Sequence, residues 1–280
     1  MKRNHMGRGA LTKAVLIGLA LLVAGVGSVA AQAGPAKSKI EDVVAKGTLR
    51  VGLDFFVPWA FKGKDGNLVG FEIDVAKKLA ADIGVQVEFV PTAWSGIIPA
   101  LLTDKFDVII GGLGVTAERA LKVNYSDPYE WSGIDVVVNK KKDPGLTTLE
   151  ALNKKKIVLA VGVGSTPAIA AKQFLPQATL HQFDSGEQAV LQEVLNGNAD
   201  AALVSTPTGA YWAADYPANV YRPLDGKLLK TEPSAFAVRK GDPDTIAFFN
   251  SWILINQEWL KDRSHYWYET RDWKGLLPKN

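Results

Sequence analysis

The residues with the most chemistry to offer lie in one stretch, Gly111-Gly112-Leu113-Gly114-Val115-Thr116-Ala117-Glu118-Arg119, followed by Asn124-Tyr125-Ser126-Asp127-Pro128-Tyr129. An apolar run, Phe106 to Ile110, leads into the glycines. Glycine lets main-chain N–H groups come close to an anion, and a guanidinium grips a carboxylate through two parallel charge-assisted hydrogen bonds. The pattern is that of a carboxylate receptor with Arg119 as its cation. A strand, a loop and an arginine in an ordinary surface ion pair would use the same letters, and such pairs carry little energy.

Other chemistries are poorly served. The 280-residue chain has no cysteine, which excludes disulfides, thiolate metal sites and a cysteine nucleophile. His5 falls in the leader, and His181 and His265 stand apart from any Asp/Glu/His spacing that would hold a metal. No P-loop and no Ser-His-Asp order is present, so neither a metal nor a cofactor is expected. A net charge of +3 is spread along the chain. Lys140-Lys141-Lys142 and Lys154-Lys155-Lys156 have no aromatic platform or reading helix beside them, so they read as solvated surface and not as a nucleic-acid footprint.

The elements that position these groups begin after a leader. Lys2, Arg3, Arg8 and Lys13 make a basic start, Ala14 to Val23 is apolar, and Ala31-Gln32-Ala33 is a small-x-small cleavage site. Residues 1–33 therefore read as a secretory signal peptide, with Val29-Ala30-Ala31 as an alternative cut. Gly25, Gly27 and Ser28 dilute the apolar run below what a retained anchor needs. Without a cysteine to lipidate, the mature protein is expected to be soluble in a periplasm.

The remaining roughly 245 residues alternate strand-like and helix-like patterns, an α/β grammar. Thr48 to Leu53 and Val85 to Val90 read as strands. Gly70 to Ile83 carries Phe71, Val75, Leu79 and Ile83 on one helix face. Ser95 is expected to cap a helix through Leu102, and Phe106 to Ile110 returns to strand. The grammar repeats from Ile157 to Val161, through the glycine-containing loop Gly162 to Thr166, a helix from Pro167, a helix from Glu187 to Leu195, and the strand Ala199 to Val204. Such crossover units build mostly parallel sheets. Two lobes of one architecture would share a cleft beyond the carboxyl ends of their strands. Trp252, Trp259, Trp267 and Trp273 read as core residues of the C-terminal helices.

Five blocks in register carry a resemblance over essentially the whole mature chain. They are Val51-Gly52-Leu53-Asp54, Leu68 to Ala76, Trp94 to Leu101, Thr116-Ala117-Glu118-Arg119 and Ser126-Asp127-Pro128-Tyr129. Their order resembles the polar amino-acid-type solute-binding proteins of ABC importers, the family 3 extracellular solute-binding proteins. The resemblance implies a type II two-lobed clamshell with two hinge crossings. Lobe 1 would comprise residues 34–131 and 235–280 and lobe 2 residues 139–222, with crossings at 132–138 and 223–234. It also implies that Arg119 meets the ligand carboxylate, assisted by backbone at Gly112 and Gly114. From the facing lobe, Ser165 and Thr166 would supply donors at a helix N-terminus, where free N–H groups and positive partial charge coincide. A plain helix cap ahead of Pro167 uses the same groups. Trp94 would cover the ligand, Phe56 or Trp59 would form a second wall, and Asp54 would meet the distal part of the ligand unless it is a simple turn aspartate. The implied partners are a small carboxylate or amino acid and a membrane ABC permease, with the protein itself a monomer.

Two positions depart from the family pattern. Ser205 stands where an aspartate usually pairs with the ligand ammonium, so another acid, such as Asp54 or Asp184, must substitute, or the ligand is not a standard α-amino acid. Gly114 stands where a hydroxyl residue is common. The family also resembles cyclohexadienyl dehydratases, enzymes on the same scaffold that need a positioned proton donor. Here Ser165-Thr166 is followed by Pro167-Ala168, where those enzymes carry a glutamate, so no catalytic residue is expected and a binding protein is the favoured reading.

Overall fold

The computed structural model describes residues 38–184 and 186–278. The expected signal peptide lies outside the described residues. The described residues form one compact unit. Its first half runs α1 (Lys39–Lys46), β1 (Thr48–Leu53), the hairpin strands β2 (Phe61–Lys62) and β3 (Leu68–Val69), α2 (Phe71–Asp82), β4 (Gln86–Pro91), α3 (Ile97–Leu102), β5 (Val108–Ile109) and α4 (Ala117–Ala120). Next comes β6 (Asn124–Asn139), followed by α5 (Leu149–Leu152), β7 (Val158–Gly162), α6 (Thr166–Phe174), β8 (Thr179–Phe183), α7 (Glu187–Leu195), β9 (Ala201–Ser205), α8 (Thr208–Asp215) and β10 (Val220–Tyr221). β11 (Lys230–Val238) returns to the first half, and α9 (Pro243–Ile255) and α10 (Gln257–Ser264) pack there.

The sheet order is β4-β1-β5-β11-β6-β9-β7-β8, with β10 on β6. Crossover helices force parallel pairing where they connect neighbours, and β1 is parallel to β4 and β5 as β7 is to β8 and β9. The antiparallel pairs of this sheet all involve β6 or β11. β6 pairs with β11 from Asn124 to Ile134 and with β9 from Ile134 to Val138, so it changes partner at Ile134. These two strands join two halves that are each built from parallel crossovers. Pro128 has no N–H to give a ladder, and the β6–β11 register shifts beside it, between Ser234 and Ala235.

Each half buries its own apolar surface. In the first, Val51, Phe71, Leu79, Val108 and Phe236 pack with Trp252, Trp267 and Trp273, and Trp259 lies partly buried against them. In the second, strand alternation sends Val136, Leu159, Val161 and Leu203 to the α6 face and Val137, Ala160, Ala202 and Val204 to the α7 face. Both faces are therefore covered, and the polar groups collect at the strand ends.

The helix expected from a Ser95 cap is different in the structure. Trp94–Gly96 is a 3₁₀ turn, α3 starts at Ile97, and Gly96 precedes it with no side-chain cap. The Trp94 N–H donates to Asp54 Oδ2 at 2.8 Å, which ties the chain down ahead of the helix. The strand expected at Phe106 to Ile110 keeps only Val108–Ile109 in the ladder. No helix among the described residues is long and apolar enough to cross a membrane.

Candidate functional site

The residues that follow the parallel strands converge on one cavity of about 90 Å³. Asp54 and Phe56 follow β1, Trp94 follows β4 and Gly112 follows β5; Ser165 and Thr166 follow β7, Asp184 and Glu187 follow β8, and Ser205 ends β9. This is the position that open α/β sheets reserve for ligands, and both halves contribute to it. A water needs ~10–15 Å³ on such a scale, so the space suits a solute of about amino-acid size.

Aromatic rings form the first-half wall. Phe56 lies 5.0 Å from Trp59 and 5.7 Å from Trp94, edge-on to the latter. Trp59 is itself buried and supports Phe56 from behind, with Tyr268 at 5.5 Å on its other side. Asp54 holds this wall in place: Oδ1 accepts the Phe55 N–H at 2.7 Å and Oδ2 the Trp94 N–H. These two bonds are those of the turn aspartate, and the same side chain lines the cavity. Burial raises its pKa, the Phe55 and Trp94 N–H groups draw it back, and Asp184 adds a push upward.

Gly112 is a glycine for two reasons. Its φ is +66°, and a Cβ there would lie 3.0 Å from Trp59 Cδ1. Its N–H donates to the Tyr129 hydroxyl at 3.1 Å, and that hydroxyl donates to the Glu72 carboxyl. Gly114 has its own reason: a Cβ would come within 3.0 Å of Thr166 Cγ2 and 3.3 Å of Glu232 Oε1. Thr166 and Glu232 pack so close here that any side chain at this position would make them shift.

Neither Arg119 nor Gly114 lines this cavity, whereas the other expected site residues do; Arg119 lines a second cavity of about 470 Å³ that shares Trp94 and Ser165 with the first. Thr116 caps the short α4 and accepts the Arg119 N–H, which aims the side chain inward. The guanidinium is buried and forks across two carbonyls, with Nη1 donating to Gly114 O at 2.7 Å and Nη2 to Gly164 O at 2.8 Å. Those carbonyls belong to opposite halves. No carboxylate forms an ion pair with Arg119 among the described residues, while the other buried or half-buried arginines have them. Burial lowers its pKa, opposed by Tyr125 and then Glu232. The Trp94 ring lies 5.7 Å from its Cζ.

In the second half, Ser165 caps α6 by accepting the Ala168 N–H, with Pro167 in the first turn. The first turn of a helix leaves N–H groups without intrahelical partners; here Pro167 has none and Ser165 takes that of Ala168, while Ser165, Thr166 and Pro167 line the cavity. The Thr166 hydroxyl bonds to Glu232 of β11, a second contact across the two halves.

Several acids escaped the sequence reading. Glu187 lines the cavity as the first residue of α7, and the Thr208 hydroxyl donates to its Oε2 at 2.9 Å. Burial pushes it up to about 8, with Thr208 drawing it partly back. Its place directly after β8, matching that of Thr166 after β7, is the signal that could have found it. Glu72 and Glu130 are fully enclosed and are also pushed up to about 8 by burial. Glu232 is raised in the same direction by burial, against the Thr166 hydroxyl, Lys230 and Arg119. Nothing in the local pattern around these residues marks them as buried.

A two-half α/β fold with a cavity at the strand ends, walled by aromatics and lined by a few acids and hydroxyls, with a buried guanidinium nearby, is that of a solute-binding protein. The chain belongs to the bacterial extracellular solute-binding proteins, family 3, whose profile matches residues 49–269. It is 29% identical over 271 residues to the L-cystine-binding protein TcyJ of Escherichia coli (strain K12), covering 96% of this chain and 98% of that one. It is 26% identical over 243 residues to the cyclohexadienyl dehydratase of Pseudomonas aeruginosa, covering 86% of this chain and 84% of the enzyme. Among solved structures, the ancestral amino acid-binding protein AncCDT-1, a precursor of cyclohexadienyl dehydratase, superposes with a TM-score of 0.74 at 40% identity, covering 83% of this chain and 100% of that one.

Proposed function

We propose that the chain is a periplasmic solute-binding protein that captures a small carboxylate-bearing solute, an amino acid or close analogue, and delivers it to a membrane ABC permease. Residues 34–131 and 235–280 act as lobe 1 and residues 139–222 as lobe 2, crossing at 132–138 and 223–234. The partner change of β6 at Ile134 supports the first crossing. A signal peptide cleaved after Ala31 or Ala33 exports the protein, which stays unlipidated for want of a cysteine and acts as a monomer.

The observation that carries this reading is Arg119, an enclosed cation beside the cavity whose acceptors are two neutral carbonyls. A carboxylate is the stronger acceptor for a guanidinium, through two charge-assisted bonds. A solute carboxylate reaching Ser165 and Thr166 takes the guanidinium from one or both carbonyls, and the cavity's aromatic wall covers the rest of the molecule, with the Gly112 N–H held by Tyr129. Its acidic lining, Asp54, Asp184 and Glu187 with no basic side chain, favours a solute that also carries positive charge. Closure follows from contacts that both lobes make only around the solute.

The test is a thermal-shift screen of the mature protein against amino acids, amines and small carboxylic acids, because a ligand that binds only the folded form raises its melting temperature. Amino acids are the expected hits, lost in Arg119→Ala. Best hits without any carboxylate would remove Arg119 from the site. A second reading, a dehydratase on the same scaffold, is favoured by one observation: Glu187 faces the cavity with a pKa raised to about 8, so it holds a proton at neutral pH. Incubation with prephenate or arogenate decides between them, and formation of an aromatic product would overturn the transport reading.

A further inference from the structure

The end of β9 presents Ser205, whose hydroxyl can orient an ammonium group without neutralising it. The three cavity carboxylates differ in what remains of their bonding capacity. Asp54 spends both oxygens on the Phe55 and Trp94 N–H groups. Asp184 is solvent-exposed at the rim. Glu187 stands between them with one oxygen engaged: Thr208 donates to Oε2, and Oε1 has no donor among the described residues. Thr208 is buried and belongs to the same turn as Ser205, three residues on. The turn that lacks an acid therefore supplies the hydroxyl that aims one from the neighbouring helix.

We infer that Glu187 is the specificity-determining acid of the cleft, aimed by Thr208 so that its carboxylate pairs with the α-ammonium of the solute in place of the acid absent at Ser205. This rests on the reading of the cleft as an amino-acid site. Thr208 bonds to Glu187, and the titratable groups that share its cavity are Asp184 from the β8 end and Asp54 from the β1 end, beside the Ser205 hydroxyl and the apolar Phe183, Val190 and Leu203. None is a base, and a carboxyl enclosed without a cation keeps its proton; burial accordingly raises Glu187. An arriving ammonium supplies the missing charge. The carboxyl then gives its proton to solvent and becomes the carboxylate of an ion pair. Amino-acid binding near neutral pH thus releases up to one proton from this residue.

The experiment is isothermal titration of the mature protein with L-lysine, L-arginine, L-glutamine and L-cystine, in buffers of different ionisation enthalpy. The wild type, Glu187→Gln, Thr208→Val and the double variant Glu187→Gln/Ser205→Asp are compared. Glu187→Gln is expected to bind the preferred amino acid roughly 10- to 100-fold more weakly, the loss of one charge-assisted bond, and to release fewer protons. Thr208→Val keeps the acid without its aim and loses less. The double variant, with the acid restored at the β9 end, recovers part of the affinity. If the wild type binds none of the four, the amino-acid reading fails and this inference falls with it. If the wild type binds and Glu187→Gln matches it within threefold, or Ser205→Asp restores nothing in a variant that melts like the wild type, the role of Glu187 is refuted while the amino-acid reading stands. Should Glu187→Gln not fold, Thr208→Val decides alone: unchanged affinity and proton release refute the inference.

Discussion

Glu72→Gln should flatten the pH dependence of stability of this protein. Glu72 is wholly buried on α2, and its two oxygens accept from the Tyr129 hydroxyl at 2.9 and 2.7 Å. No cation pairs with it among the described residues. Burial moves it from 4.5 to about 8, with Glu130 adding to the rise and Tyr129 opposing it. Because the folded state keeps a proton that the unfolded state gives up above 4.5, this carboxyl's contribution is fully present below 4.5 and is lost as pH rises towards 8. At ~1.4 kcal/mol per pH unit, the whole loss is about 4–5 kcal/mol as an upper figure, or roughly 10–15 °C in melting temperature. Glu130, likewise raised to about 8, acts in the same direction. Calorimetry of the mature wild type at pH 5, 7 and 8.5 should show a falling melting temperature, and Glu72→Gln should remove a substantial part of the slope. The amide still accepts the Tyr129 hydroxyl, so the Gly112 contact is preserved. A flat or rising wild-type profile, or an unchanged slope in the variant, would refute the assignment of a buried neutral carboxyl behind the cleft.

Gly114→Ala places a Cβ 3.0 Å from Thr166 Cγ2, so circular dichroism should show an intact fold while titration shows weaker solute binding; wild-type affinity would mean that the cross-cleft packing yields. Asp54→Ala frees the Phe55 and Trp94 N–H groups, which should lower stability by about 1–3 kcal/mol and weaken binding through a displaced Trp94. Chemical denaturation and titration read the two effects, and loss of neither would remove Asp54 from the wall.

The strand and helix grammar was legible because it rests on local spacing. The helix read from Gly70 to Ile83 forms as Phe71–Asp82, and the one read from Glu187 to Leu195 forms with those bounds. Ser95 failed as a cap because a side chain distant in sequence, Asp54, had already anchored Trp94. The aromatic and hydroxyl residues of the cavity were found through motif positions at strand ends. Glu187 was passed over because an acid in the first turn of a helix is unremarkable until a buried hydroxyl from another helix holds it against the cavity.

From the order of its residues alone, this chain is an α/β protein of paired halves whose motifs resemble amino-acid receptors, since periodicity and turn chemistry act over a few positions. Tertiary structure decided where the charges went. Arg119 reaches Gly164 across 45 residues, and Thr166 reaches Glu232 across 66. Which groups lose their water, and hence which acids stay neutral and which cation lacks a counterion, depends on surfaces brought together from distant segments, and no local pattern records that meeting.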